Sequence, residues 1–196
     1  MMNKPHTTRG FTLIETLVAI LILSVSIAGP LTIAWRAIDS TRIAKNKTIA
    51  FYLAQDAVEH IRFQRDTNLL TDPTGATWLS GLTGCVSVSG TAACTVLSIS
   101  GVVAACPVAG CSALNFNTAT NVYTYTSVGT GIIPSIFTRS VSVRTPIGPT
   151  GTDCSVSPSA CNPDEAEVRV RVSWKDVRNV QRFVEVQENL FNWQKN

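Results

Sequence analysis

Residues 10–35 read GFTLIETLVAILILSVSIAGPLTIAW and form one long apolar run with a single charged residue, Glu15, near its start. About 20 apolar residues suffice to cross a bilayer as a helix. A carboxylate inside such a run costs roughly 3 kcal/mol on insertion scales, so a plain anchor gains nothing from Glu15. The stretch therefore predicts a membrane-capable helix whose acid has a partner.

The seven residues 9–15, RGFTLIE, resemble the processing site of type IV pilins and pseudopilins. This resemblance implies that a prepilin peptidase cuts after Gly10 and that the freed amine of Phe11 is then methylated. It also makes Glu15 the fifth residue of the mature chain. The likeness covers residues 4–35 tightly and residues 36–66 loosely.

Such a cut would leave two opposite charges close together. Phe11 would carry a cationic amine, and the Glu15 carboxylate would lie one helical turn away. In an assembled fibre, Glu15 of one subunit can meet the Phe11 amine of the next, where a low dielectric makes the pairing far stronger than in water. We therefore expect Glu15 to determine the register between subunits. Before assembly, we expect membrane lipid to surround the helix.

Two other interpretations of the N-terminus compete with this one. A discarded secretory signal fits the basic Lys4 and Arg9 and the small residues of Ser26-Ile27-Ala28. Against it, Glu15 interrupts the apolar run early and the run continues to Ile33. A generic single-span anchor accounts for the length of the run but not for its acid.

The charges flanking the run bear on its orientation. Only Lys4 and Arg9 precede it, whereas four basic residues follow it: Arg36, Arg42, Lys45 and Lys47. The positive-inside rule would place the C-terminal side in the cytoplasm. The cysteines and the processing motif indicate the opposite, a single-pass inner-membrane protein with its head in the periplasm and, after assembly, in a pilus or at the cell surface. The basic residues would then face phospholipid headgroups or neighbouring subunits.

Composition limits the function classes. The 196 residues suffice for one globular domain plus an anchor. A net charge of +3 is too mild to indicate a nucleic-acid partner. No phosphate loop, HExxH, GxSxG or paired-carboxylate motif is present in the sequence, so we expect neither an enzyme nor a cofactor.

The cysteines all follow the apolar run. Six cysteines can pair in 15 ways. No Cys-x-x-Cys occurs, and the two histidines, His6 and His60, are far from the cysteines in sequence, which favours disulfides in an oxidising compartment over a metal site. Sequence proximity favours the pairs Cys85–Cys94, Cys106–Cys111 and Cys154–Cys161.

The chain divides into four predicted segments: a leader (1–10), the transmembrane and polymerisation half of a long helix (11–35), its amphipathic half (36–66) and a cysteine-containing, β-rich head (67–196). Gly29 and Pro30 predict a kink or local unwinding, since proline removes a backbone hydrogen bond. Apolar residues recur at helical spacing in the amphipathic half: Ile43, Ala50, Phe51, Ala54, Ala57, Val58 and Ile61.

The head is predicted to be a small antiparallel sheet, which makes the fold α+β and pilin-like. Strands are expected at 122–126, 136–143, 168–174 and 183–190, with a turn at 175–179. Arg169 and Arg171 are expected on a solvated face. Residues 67–120 allow short strands but no detailed assignment. An acidic group could bind calcium but lacks the spacing of a calcium loop, so a solvated turn is favoured: Asp153, Asp164, Glu165 and Glu167.

The last two predicted strands resemble the final hairpin of minor pilins of the PilV type and of type II secretion pseudopilins. The implied partners are other pilin subunits through the N-terminal helix, the prepilin peptidase and an inner-membrane assembly platform. The implied function is that of a minor pilin. The alternatives are a minor pseudopilin of a secretion system and, from another class, an anchored adhesin or binding module.

Overall fold

The computed structural model describes residues 10–97, 101–146, 148 and 158–195. The chain separates into two compact units, Met1–Lys45 and Asn46–Asn196. One helix, α1 (Leu13–Thr71), contributes its first part to the first unit and the rest to the second. In the second unit it packs against a largely antiparallel sheet, so the predicted α+β, pilin-like fold is confirmed.

The first unit is a helix whose side chains are almost entirely exposed. Within residues 10–45 only Asp39 and Ile43 are half-buried. Among the described residues, α1 alone is long and apolar enough to cross a membrane, and none of its most apolar 18-residue window is buried by the chain. An apolar surface of this length needs lipid or other chains to cover it.

Helix α1 continues through Gly29 and Pro30, so the local unwinding expected there is absent, whereas the kink stays a prediction. Proline at position 30 removes the hydrogen bond that its own N–H would have made, and its ring crowds the carbonyl of the preceding turn. The Thr32 hydroxyl donates to the Gly29 carbonyl oxygen at 2.7 Å, which adds a bond beside the proline. The remaining bonds of the turn are enough to keep this segment helical.

The second part of α1 buries one stripe against the sheet. Phe51, predicted in that stripe, is 45% exposed, and Leu53 is buried instead. Position 51 lies one residue, about 100° of rotation, away from Ala50 and thus outside the stripe. The buried residues of this part are Ala50, Leu53, Ala54, Ala57, Val58, His60, Ile61 and Leu69.

Helix α1 ends at Thr71 rather than at the predicted residue 66. The extra turn buries Leu69 completely. The Asn68 side chain donates to the carbonyl oxygens of Trp78 at 3.1 Å and Ser80 at 2.7 Å. These tertiary contacts outweigh the weak helix propensity of this polar stretch, and Pro73 prevents further extension.

The sheet has eight strands in the order β3-β2-β6-β4-β5, with β1 and β7 also on β6 and with β8 on β7. Within the described part of the chain, the two-residue pairing of β1 with β6 is parallel and the other strand pairings are antiparallel. The strands are β1 (Val86–Ser87), β2 (Cys94–Leu97), β3 (Val102–Ala105), β4 (Ala113–Asn117), β5 (Val122–Thr124), β6 (Ile132–Arg144), β7 (Glu165–Lys175) and β8 (Gln181–Phe191). Two short 3-10 helices lie at Pro158–Ala160 and Trp193–Lys195.

The four predicted strands are confirmed by β5, β6, β7 and β8. Strand β7 alternates as expected, because its valines and Trp174 are buried whereas Arg169 and Arg171 are exposed. Strands β3 and β4 fall in the region left unassigned from sequence. The sheet face toward α1 carries the core of the second unit: Phe137, Val141, Val143, Val168, Val170, Val172 and Trp174.

Disulfides close loops beside the sheet. Cys85 is joined to Cys94, with Cα atoms 4.9 Å apart, and both residues are fully buried. Cys106 is joined to Cys111 at a Cα separation of 4.7 Å. Cys161 is also disulfide-bonded, and its predicted partner Cys154 lies outside the described residues.

Candidate assembly site

Thr12 begins the helix by capping its first turn. Its carbonyl oxygen accepts from the N–H groups of Glu15 at 3.1 Å and Thr16 at 3.2 Å, and its hydroxyl oxygen lies 3.3 Å from the Glu15 nitrogen. Thr12 and Glu15 have the spacing of a capping box, in which the acid occupies the third helical position. The Glu15 carboxylate is therefore held at the positive end of the helix dipole.

The candidate processing residues lie on the surface of the first unit. Phe11 is 80% exposed, and Glu15 is exposed as well. A Cβ added to Gly10 would meet no described atom within 4 Å, so the fold of the chain itself has room for a larger residue there. Any requirement for glycine at position 10 must then come from a molecule that handles this segment.

The hydroxyl groups of the apolar segment are satisfied within the helix. Thr16 donates to the Leu13 carbonyl oxygen at 2.9 Å, and Ser24 and Ser26 each donate to a carbonyl four residues earlier at 2.8 Å. Such bonds let a polar residue lie in an apolar environment without an external partner. Glu15 differs from these residues because its group carries a full charge.

A buried arginine organises the second unit. Arg139 on β6 is only 2% exposed. Its Nη1 donates to the Leu53 carbonyl oxygen at 2.9 Å and to the Asp56 carboxylate at 2.8 Å, and its Nη2 donates to the Val96 carbonyl oxygen on β2. The arginine therefore joins α1 to two strands of the sheet.

Polar neighbours surround this arginine. The Tyr125 hydroxyl lies 3.5 Å from the Arg139 carbonyl oxygen, and burial raises the pKa of Tyr125. His60 on α1 is 8% exposed, and its Nε2 has no hydrogen-bond partner among the residues that the structure describes. This cluster was not predicted from the sequence, although alternation put Arg139 on the same face as Phe137 and Val141. A charged residue on a core face is the signal that could have found it.

The acidic residues near the end of the chain bind other side chains. Glu167 pairs with Arg144 at 2.8 Å and with Arg169 at 3.0 Å. Asp164 accepts a hydrogen bond at 3.0 Å from Asn192. Asp153 lies outside the described residues. These contacts tie β7 to neighbouring segments.

The turn between β7 and β8 has an acid of its own. Asp176 accepts from the N–H groups of Arg178 and Val180, each at 2.9 Å. The bond from Val180 is the main cause that lowers the pKa of Asp176. The carboxylate thereby fixes the hairpin predicted at residues 175–179.

The comparison with protein-family models matched residues 6–29 to the prokaryotic N-terminal methylation motif. Neither the curated proteins nor the solved structures gave a match. The matched motif indicates a structural subunit. It indicates a type IV pilin or pseudopilin precursor, whose partners in general are other pilins and the prepilin peptidase.

Proposed function

We propose that this chain is a minor type IV pilin, a subunit that enters or primes a pilus fibre after cleavage between Gly10 and Phe11. The observation that carries the proposal is the exposure of the apolar helix in the first unit, next to a methylation motif. A folded head does not need such a surface for its own stability. Lipid covers the segment before assembly, and neighbouring subunits cover it afterwards.

The proposed pathway assigns a role to each part of the chain. Residues 1–10 are the leader, residues 11–35 the membrane and polymerisation segment, and the remaining helix and the sheet form a head in the periplasm. An assembly platform in the inner membrane extracts the subunit into the fibre. Glu15 then pairs with the methylated amine of Phe11 on the adjacent subunit.

The mature N-terminus tests the processing step. Mass and N-terminal sequence of the protein from cells should show loss of residues 1–10 and one methyl group on Phe11. A bulky substitution, Gly10→Leu, should leave the precursor uncut without changing its fold, because a side chain at position 10 meets no described atom within 4 Å. Gly29→Leu is the matched control, since position 29 is equally open and should still be processed. A mature protein that still begins at Met1 contradicts the proposal.

The role of Glu15 is tested after cleavage. Glu15→Gln keeps the size of the side chain but removes its charge, and it should be processed normally and yet enter fibres poorly. Thr16→Val, on the next residue, should enter fibres as wild type does. Incorporation of Glu15→Gln at the wild-type level would contradict a pairing with the Phe11 amine.

A minor pseudopilin of a type II secretion system is the second candidate, because the matched motif is common to pilins and pseudopilins. The disulfide-closed loops favour the minor pilin, since they enlarge the head beyond what a compact pseudopilin needs. Shearing of intact cells separates the two candidates. A pilus subunit is released with the surface fibres, whereas a periplasmic subunit stays with the cells.

A further inference from the structure

The helix carries a group of exposed cationic side chains directly after its apolar segment. We call Arg36, Arg42 and Lys45 the basic belt, and all three are exposed. Asp39 is the only acid between residues 16 and 55. The belt lies within the first unit, and its members take part in no ion pair among the described residues.

Arginines of the second unit differ from the belt in this respect. Most of them pair with a carboxylate of the same chain, namely Arg62, Arg65, Arg139, Arg144, Arg169 and Arg182. Arg171 lies over the ring of Phe183, 4.0 Å from its centroid. The belt thus lacks the internal partners that the second unit supplies to most of its arginines, which leaves it available to an external anion.

The position of the belt along the helix specifies where that anion lies. Residues 11–35 span about 37 Å as a helix, which exceeds a hydrocarbon core of about 30 Å. Trp35 lies at the end of the segment and is 64% exposed. Tryptophan is enriched at membrane–water interfaces. Arg36 follows at headgroup level, and helical side chains lean toward the N-terminus, here toward the membrane.

We propose that the basic belt binds the anionic headgroups of phospholipids in the leaflet where the apolar segment ends. This inference rests on the proposed membrane anchoring of the subunit before assembly. A laterally adjacent copy is a poorer partner, because at the same level it offers only Asp39 against three cations. A negatively charged phosphodiester headgroup has the complementary charge and presents two oxygens to an arginine fork.

The strength of binding decreases along the belt. Arg42 lies about 9 Å and Lys45 about 13 Å beyond Arg36 along the helix axis. Surface electrostatic attraction decays over about 8–10 Å at physiological salt. A basic residue near an anionic surface gains about 1 kcal/mol, or about fivefold in association. Arg36 should therefore contribute most and Lys45 least.

Lipid selectivity of the full chain tests the proposal. The protein is reconstituted in phosphatidylcholine vesicles with trace spin-labelled phosphatidylglycerol or phosphatidylcholine, and electron paramagnetic resonance gives the relative association of the two labels. Wild type should prefer phosphatidylglycerol about fivefold at low salt. The preference should shrink near 1 M salt, where the Debye length is about 3 Å.

Variants assign the preference to the belt. Arg36→Gln/Arg42→Gln should lower it by at least half, while Lys4 and Arg9 still contribute in the uncut chain. Lys175→Gln/Arg178→Gln removes the same charge from the β7–β8 turn and should leave it unchanged. Equal association of the two lipids in wild type, or a preference that is undiminished in Arg36→Gln/Arg42→Gln, overturns the proposal. It is also overturned if these two substitutions reduce crosslinking between copies without changing lipid preference.

Two further measurements separate this inference from the proposed function. Resistance to an alkaline carbonate wash tests the anchor, and removal of residues 1–10 in cells tests the processing. A protein that is integral and processed but shows no lipid preference overturns the headgroup inference alone. A protein that is washed off the membrane overturns both.

Discussion

Helix α1 (Leu13–Thr71) carries apolar side chains along its whole length, but the two units use them differently. In the first unit they remain exposed, as Ile22 does at 59%. In the second unit one stripe of them faces the sheet, where Ile61 is fully buried. Burial, rather than helix formation itself, is therefore what distinguishes the two parts of the helix.

Charged residues show the same contrast. Arg139 lies inside the second unit with its guanidinium bonded to Asp56 and to two backbone carbonyls. The basic belt and Glu15 in the first unit are exposed. The second unit thus buries an apolar stripe and pairs most of its arginines within the chain. The first unit leaves its apolar and charged side chains exposed to other molecules. Substitutions in the two units should accordingly affect different properties.

The largest expected effect on stability is at Arg139. Arg139→Ala leaves the carbonyl oxygens of Leu53 and Val96 without this donor. Each such loss costs about 1–3 kcal/mol, so the free energy of unfolding should fall by about 2–6 kcal/mol. Urea unfolding of the full chain in detergent, followed by tryptophan fluorescence, measures the loss. Arg171→Ala, at an exposed position on β7, should cost less than about 1 kcal/mol. Equal losses for the two variants would show that burial of the arginine is unimportant.

A matched pair of isoleucines compares the two parts of the helix directly. Ile61→Ala should destabilise the protein by about 2–5 kcal/mol, because Ile61 is fully buried. Ile22→Ala should change the unfolding free energy by less than about 0.5 kcal/mol. The same detergent unfolding assay measures both variants. A large loss of stability for Ile22→Ala would break the distinction between the units.

Removal of the buried disulfide should have an intermediate effect. Cys85→Ala/Cys94→Ala opens a loop closed at a sequence separation of nine and should cost about 2–3 kcal/mol. Cys106→Ala/Cys111→Ala opens a shorter loop, with a separation of five, and should cost less. Thermal unfolding under non-reducing conditions measures both. The reverse order would mean that loop length and burial do not determine the effect.

The smallest expected effect is a pH dependence at Asp72, just after the helix. Hydrogen bonds from the side chains of Thr74 and then Thr77 lower the pKa of Asp72 from 3.8 to about 2. The folded protein therefore holds this proton more weakly than the unfolded chain does. Its stabilisation is present above about pH 3.8 and is lost as the pH falls toward 2.

Asp72→Asn should abolish that acid-dependent part of the stability, as measured by denaturant unfolding at a series of pH values. Thr74→Ala/Thr77→Ala keeps the acid but removes the side-chain donors, and it should diminish the same pH dependence. An unchanged pH profile in both variants would contradict the role of these bonds.

Several parts of the fold were predictable from local sequence. The apolar run predicts a helix because a span needs only length and apolar side chains. Strands β6, β7 and β8 alternate with a period of two, so the sequence predicts which of their residues share a face. The family match rests on the same short N-terminal segment, residues 6–29.

Other parts depended on distant contacts. Strands β2 and β3 are each four residues long, which is too short for a clear alternation. The last turn of α1 forms because Leu69 is buried and Asn68 bonds to the chain near Trp78. Phe51 lies outside the buried stripe, because the position of the sheet decides which face of the helix is covered. That position could not be predicted from the sequence.

The sequence by itself determined the membrane-capable helix, its acid at Glu15 and the N-terminal methylation motif, because each depends on residues adjacent along the chain. Only the tertiary structure decided that Arg139 lies inside the head and bonds to Asp56, 83 residues away in sequence. The physical reason is that a guanidinium can be buried only where carbonyl and carboxylate oxygens converge on it. Such convergence arises when the helix and strands pack together.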